Sequence, residues 1–294
     1  MNTPSPITRA ERYNALLPAR PFVVPLALFL IVILLRSLDL FVLRLDALPD
    51  EIIVSRVLGL IFIILYLQVL RKPVSSIGLH TRNLAKAFLI IGSSLVFAYT
   101  LLYAVQYYQL ITAGESPRLV FGAINPESGV MGSSLFSSFF LFGQFVNALM
   151  EEVVFRGVML PHFMRRFTFW KANALQSILF GVAHLVFPIS SWARGEVTSG
   201  EALAQAVSLL LFTTIGGLIF GYLYYRTDNL WTAVLAHLTD NIVGLFFHIQ
   251  TVSRVNAETD ILPLASIGLF ASVLVAWIVA KHHHLPALRP WASN

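Results

Sequence analysis

Again and again this chain runs for about 20 residues almost without charge, the length a helix needs to cross roughly 30 Å of hydrocarbon. Eight such stretches can be drawn, near residues 22–43, 53–70, 85–111, 133–164, 172–187, 202–225, 230–249 and 262–280. None alternates with the two-residue period of a barrel strand, so the expected fold is all-α, a polytopic membrane bundle of about eight transmembrane helices. Composition agrees, because 57% of the residues are hydrophobic and only 12% are charged, outside the range of soluble domains. Cysteine is absent, which excludes disulfides, thiol catalysis and zinc–thiolate sites. Any metal would have to be held by His and carboxylates.

The net charge of +5 does not point to nucleic acid, since the basic residues lie scattered in short loops. With the N-terminus in the cytoplasm, Arg9, Arg12, Arg20, Arg71, Lys72, Arg82, Lys86, Arg165, Arg166, Lys171, Arg226, Lys281 and Arg289 fall inside. Arg44, Arg56, Arg118, Arg194 and Arg254 fall outside with most of the acidic residues, an asymmetry that follows the positive-inside rule. An even number of spans returns the C-terminus to the same side. No small-residue cleavage site follows the first span, which is read as a retained anchor. One domain is expected. Within it, residues 1–132 carry a cytoplasmic lead and three spans, 133–249 a motif-bearing core, and 250–294 the last span and tail. The polar run 188–201 is expected to be the longest break between the later spans.

The fourth span interrupts its apolar run with Glu151, Glu152 and Arg156 in NALMEEVVFRGVML. Intramembrane charge costs about 3 kcal/mol per residue on insertion scales, so it calls for a function and a partner. Glu152 and Arg156, at i and i+4, share a helix face and are expected to pair. Glu151 lies about 100° away and must face another helix. Two other spans offer groups for it: His184 in LQSILFGVAHLVFP, and His237 with Asn241 one turn on in WTAVLAHLTDNIVG. Counted from the nearest cytoplasmic cation, Glu151 is 14 positions from Arg165, His184 is 13 from Lys171 and His237 is 11 from Arg226. Those counts are roughly 21, 20 and 17 Å of helix, so the three groups can share one layer.

A carboxylate, two imidazoles and an amide at one depth suit either of two chemistries. In the first, Glu151 takes a proton from water, His184 holds the water, and His237 and Asn241 stabilise the oxyanion of a tetrahedral intermediate. In the second, Glu151, His184 and His237 ligate zinc, with water in the fourth position. The H-E-x-x-H spacing of soluble zinc peptidases is missing, and spacing alone does not choose.

Other polar groups have plainer readings. Arg36 and Asp39, three apart in the first span, are expected to pair with each other. Asn147, one turn before Glu151, is read as an interhelical hydrogen-bonding residue. Asn241 is preferred to its neighbour Asp240, which would point away. His248 is read as interfacial, on the His237 face of the same helix. Gly217 and Gly221 form a G-x-x-x-G pair that lets two helices approach closely. The run KHHHLP at 281–286 is read as a tail at the membrane surface.

The three motifs together, E-E-x-x-x-R at 151–156, F-x-x-x-H at 180–184 and H-x-x-x-N at 237–241, closely resemble those of the CAAX-protease and bacteriocin-processing family of intramembrane endopeptidases, which includes Abi and lysostaphin-resistance proteins. The resemblance implies a helical membrane endopeptidase. Glu151 and His184 would activate water, His237 and Asn241 would stabilise the oxyanion, and Glu152 with Arg156 would support the site. The family is labelled a metalloprotease, and a glutamate mechanism without metal is also argued for it, so zinc stays open. Eukaryotic members remove the last three residues of prenylated CAAX proteins, while prokaryotic members are linked to bacteriocin maturation or self-immunity. The modest length looks more like a prokaryotic member in the cytoplasmic membrane. Its expected partners are the bilayer and a membrane-associated protein or peptide substrate reaching the site from the cytoplasm, with no nucleic acid. Two other functions remain: a proton-coupled transporter, for which inverted repeats are expected and none is seen, and a non-catalytic membrane scaffold.

Overall fold

The computed structural model describes residues 22–43, 53–124, 131–251 and 262–289. The N-terminal lead with Arg9, Arg12 and Arg20, and also Arg44 and Arg254, lie outside the described residues. Each apolar stretch becomes a helix, as it must where lipid offers the backbone no hydrogen-bond partner. Helix α1 runs over Val23–Leu43, α2 over Ile53–Val69, α3 over Leu84–Thr112 and α4 over Ser134–Met164. Then come α5 (Phe169–His184), α6 (Val186–Ala193), α7 (Ser199–Thr227), α8 (Leu230–Phe246) and α9 (Leu262–His282). The spans Val23–Leu43, Leu84–Thr112, Ser134–Met164, Phe169–Ala193 and Ser199–Thr227 are long and apolar enough to cross a membrane, and shorter apolar helices lie at Val54–Val69 and Phe270–His282. The chain is a multi-pass α-helical membrane protein.

Helix starts follow local chemistry. The Ser133 hydroxyl accepts the Phe136 amide at α4, Thr198 and Glu201 form a reciprocal capping box at α7, and Asn229 Oδ1 accepts the Trp231 amide at α8. Within α4, residues Val153–Met159 widen into π-helical turns immediately after the two glutamates. Pro161 follows, with no amide to donate to Gly157 and a ring that crowds that carbonyl, which accounts for the departure from α geometry.

Two sequence expectations need correction. The run 188–201 is not a long loop: after a single turn at Leu185 the chain stays helical to Ala193, with Pro188 tolerated in the first turn of α6. The seventh span ends as helix at Phe246, not 249. Phe247–Gln250 forms a strand, β2, antiparallel to β1 (Arg118–Phe121). His248 therefore leaves the helical face of His237. It is buried, with Nε2 close to the carbonyls of Gly122 and Leu245 at 3.1 and 3.2 Å.

The G-x-x-x-G pair does bring α7 onto α5. A Cβ on Gly221 would come within 1.9 Å of Asn173 Oδ1, and one on Gly217 within 3.0 Å of Ser177 Cβ and of Arg156 Nη2. Across the same contact Asn173 Nδ2 donates to the Leu218 carbonyl at 2.9 Å.

Candidate active site

The charges of α4 are resolved one carboxylate at a time. Glu152 accepts from Arg156 Nη1 at 2.9 Å, the pairing expected from their spacing. The Arg156 guanidinium lies 4.2 Å from the Phe180 ring centre and 5.5 Å from that of Phe220, so its charge is met by aromatic faces as well. Glu152 Oε1 also lies 2.9 Å from His237 Nδ1. A carboxylate only accepts, so His237 carries its proton on Nδ1 and turns Nε2 toward Glu151.

Glu151 is almost fully buried and looks away from its own helix, as its position on the helical wheel requires. Oε1 is bound by the guanidinium of Arg36, reaching in from α1. Oε2 lies 3.7 Å from His237 Nε2 and 3.9 Å from His184 Nε2, and it has no hydrogen-bond partner among the described residues. His184 Nδ1 donates to the Phe180 carbonyl at 2.8 Å, which leaves its Nε2 as an acceptor facing Glu151. The helical counts that put the three groups in one layer are met by the folded chain.

The expected Arg36–Asp39 pair is not formed. Arg36 turns to Glu151 and to the carbonyl of Ala183 at 3.1 Å, while Asp39 Oδ2 accepts the Ser55 amide at 2.8 Å. The physical reason is that α1 widens into π turns at Leu38–Leu43, which alters the face presented by Asp39 relative to Arg36. Arg56, counted among the outer-face cations, is buried near the start of α2 at the wall of the site.

A cavity of about 250 Å³ opens beside this layer. Gln144, Asn147 and Glu151 line it from α4, and His237, Asp240 and Asn241 from α8; α5 contributes Phe180 and His184, and α7 contributes Leu209, Phe212 and Thr213. Asn241 Nδ2 donates to Gln144 Oε1 at 3.0 Å, and Asn147 Oδ1 is buried without a partner among the described residues. Asp240 does point elsewhere for its hydrogen bond, to the Tyr99 hydroxyl on α3, although it also borders the cavity. Sequence reasoning missed Gln144, which was legible as a polar residue two turns before Glu151 on the same face.

The cavity extends to one side only. On α4 its lining lies N-terminal to Glu151, and on α7 it begins at Leu209, so it points away from Arg165 and Arg226. In the other direction Phe155, Val158, Met159, Leu160 and Phe163 are buried to within 1%.

Zinc can be tested against the same atoms. Two imidazole Nε2 atoms and a carboxylate oxygen are suitable donors, but separations of 3.7 and 3.9 Å exceed the edge of about 3.3 Å for ligands 2.0–2.1 Å from a tetrahedral zinc. Arg36 brings a positive charge to the same carboxylate. Among the described residues no group of three His, Asp or Glu side chains is arranged to hold a metal ion.

Comparison with known proteins points to the same stretch. Residues 133–243 match the family model described as type II CAAX prenyl endopeptidase, Rce1-like. The chain is 26% identical over 107 residues to a putative membrane peptidase, YdiL, of Bacillus subtilis, covering 36% of each protein. It is 26% identical over 139 residues to CAAX prenyl protease 2 of Saccharomyces cerevisiae, covering 43% of each. The chain thus aligns with well under half the length of these relatives, and no solved structure matches it. The matched stretch contains Glu151, Glu152, Arg156, His184, His237 and Asn241, and over it the chain is similar to the Rce1-like CAAX prenyl endopeptidases.

Proposed function

We propose that the protein is an intramembrane endopeptidase in which Glu151 activates a water molecule to hydrolyse a peptide bond of a membrane-associated substrate. The observation that carries this reading is the unbonded Oε2 of Glu151, held within 4 Å of two imidazole nitrogens at the wall of a cavity. A water placed between Oε2 and His184 Nε2 would donate a hydrogen bond to each, which aims its lone pair at a carbonyl carbon. As the water oxygen bonds to that carbon, its proton passes to Glu151 and the carbonyl oxygen becomes an oxyanion.

His237 and Asn241 are the groups proposed to meet that oxyanion. Glu152, 2.9 Å from His237 Nδ1, fixes the ring so that Nε2 faces the site. Asn241 would turn its amide from Gln144 toward the substrate. Collapse of the intermediate breaks the C–N bond, the proton held by Glu151 goes to the departing amine, and the other product is a carboxylic acid that gives up its remaining proton to solvent. The wide spacing of the three candidate ligands supports a reading in which Glu151 and His184 alone hold the water. A chelator is therefore expected to leave purified enzyme active, and loss of activity restored by zinc would contradict this mechanism.

The substrate is proposed as a peptide or small membrane protein entering on the Gln144 and Leu209 side of the layer. On the Arg165 side of the layer Phe155, Val158, Met159, Leu160 and Phe163 are buried. The reading is tested by comparing membrane-derived peptides from cells carrying wild type and Glu151→Ala by quantitative mass spectrometry. Peptide termini that vanish with Glu151→Ala and with His184→Ala are the expected result. An unchanged peptide pool, with pH-gradient-driven uptake by the reconstituted protein, would overturn it in favour of transport.

A further inference from the structure

The family match begins at residue 133, yet one of the groups in direct contact with Glu151 comes from the first helix. The two adjacent carboxylates of α4 are each matched to one arginine. Glu152 takes Arg156 from its own helix, and Glu151 takes Arg36 from α1. Arg36 is almost fully buried, at 1% exposure. It does more than neutralise charge, because Nη1 donates at 3.1 Å to the carbonyl of Ala183, the residue before His184. Ala183 lies in the last turn of α5, where carbonyls need partners from beyond the helix. The Arg36 guanidinium also lies 5.7 Å from the Phe187 ring centre, on the far side of the break at Leu185.

From these contacts we infer that Arg36 is a positioning residue for hydrolysis, tying Glu151 to the helix end that carries His184. Occupying Oε1 leaves Oε2 as the oxygen that faces the two histidines. Holding the Ala183 carbonyl fixes His184 relative to that oxygen. A rigid, planar guanidinium suits this double task because its two amino groups diverge at a set angle, which a lysine ammonium on a flexible stem does not reproduce. The other charged and titratable groups around Glu151 are committed differently: Arg156 to Glu152, His237 Nδ1 to Glu152, and Asp240 to Tyr99, while Arg56 borders the cavity.

This inference rests on the endopeptidase reading, so its test begins with a peptide whose cleavage in cells depends on Glu151. That peptide, made with a fluorophore and quencher, is presented to the full-length protein in liposomes. Arg36→Ala is expected to lower kcat by about 100-fold, the scale of a misplaced catalytic group, with KM within about twofold of wild type. Added guanidinium ion should restore at least part of the lost kcat, and urea of the same size should not. Arg36→Lys should retain more activity than Arg36→Ala. Melting temperature is followed alongside. If Arg36→Ala does not fold, Arg36→Lys carries the test: a folded Lys variant with wild-type kcat overturns the inference, and one with reduced kcat and unchanged KM supports it. Wild-type kcat in Arg36→Ala, or a loss that tracks melting and ignores guanidinium, overturns it while leaving the endopeptidase reading intact. If no peptide depends on Glu151, that reading falls and this one with it.

Discussion

The bundle has two unlike halves on either side of Glu151. Toward Arg165 and Arg226, α4, α7 and α8 interlock through Phe155, Phe163, Leu223, Tyr224, Leu230 and Ala233, all fully buried. Toward Gln144 and Leu209, α4 and α8 stay in contact through Gln144–Asn241 and Phe140–Phe246, while a cavity separates them from α7, whose Leu203, Val207 and Leu211 are exposed. In lipid, apolar residues gain little by leaving one hydrocarbon for another, so the packed half must be held by close fit and by polar contacts. The glycines at 217 and 221 supply the fit, and the Asn173 and Glu152–Arg156 contacts supply the polar ties. One half thus serves as a rigid base for the polar layer, and the other gives that layer room for a substrate.

The largest effect is expected from emptying the base. Phe163→Ala should cost about 3–5 kcal/mol, read as a fall in melting temperature in detergent, whereas Phe212→Ala at the cavity should cost far less. Equal costs at the two positions would break the distinction between the halves. Gly217→Leu comes next, at about 1–3 kcal/mol from overpacking against Ser177 and Arg156, with cleavage reduced because Arg156 is pushed off Glu152. In the hollow half, Thr213→Trp should slow cleavage by about tenfold, equivalent to ~1.4 kcal/mol, while melting stays put. A melting loss there, or unaltered cleavage, would mean the cavity is not where substrate goes. The smallest effect is expected of Arg82→Ala. In its 2.9 Å pair with Asp228 the arginine side is exposed, so no more than about 1 kcal/mol should be lost, and less at high salt.

Much of the polar layer was legible in the sequence because helical arithmetic is rigid. Counting residues from the loop cations set the depths of Glu151, His184 and His237, and an i, i+4 spacing gave the Glu152–Arg156 pair. Arg36 shows where that arithmetic stops. It sits 13 positions into α1 from Val23, roughly 20 Å of helix, close to the depth of Glu151. Depth alone did not reveal the contact, since partners on different helices depend on how each helix is rotated. A nearby Asp39 offered a local partner that the π turns of α1 then turned away. The strand pair was hidden for a related reason: Phe247–Gln250 continues the apolar pattern of α8, and only pairing with Arg118–Phe121 draws it out of the helix. At Leu185 the break into α6 comes without a glycine or proline at the turn itself.

In the proposed reaction, water activated by Glu151 attacks the scissile carbonyl directly. A single turnover of the Glu151-dependent peptide by the liposome-reconstituted protein in ¹⁸O-labelled water tests that step. The new C-terminal carboxylate should carry one labelled oxygen with wild type, and Glu151→Gln should yield no product. Cleavage by Glu151→Gln at the wild-type rate, or a wild-type product free of label, would contradict it.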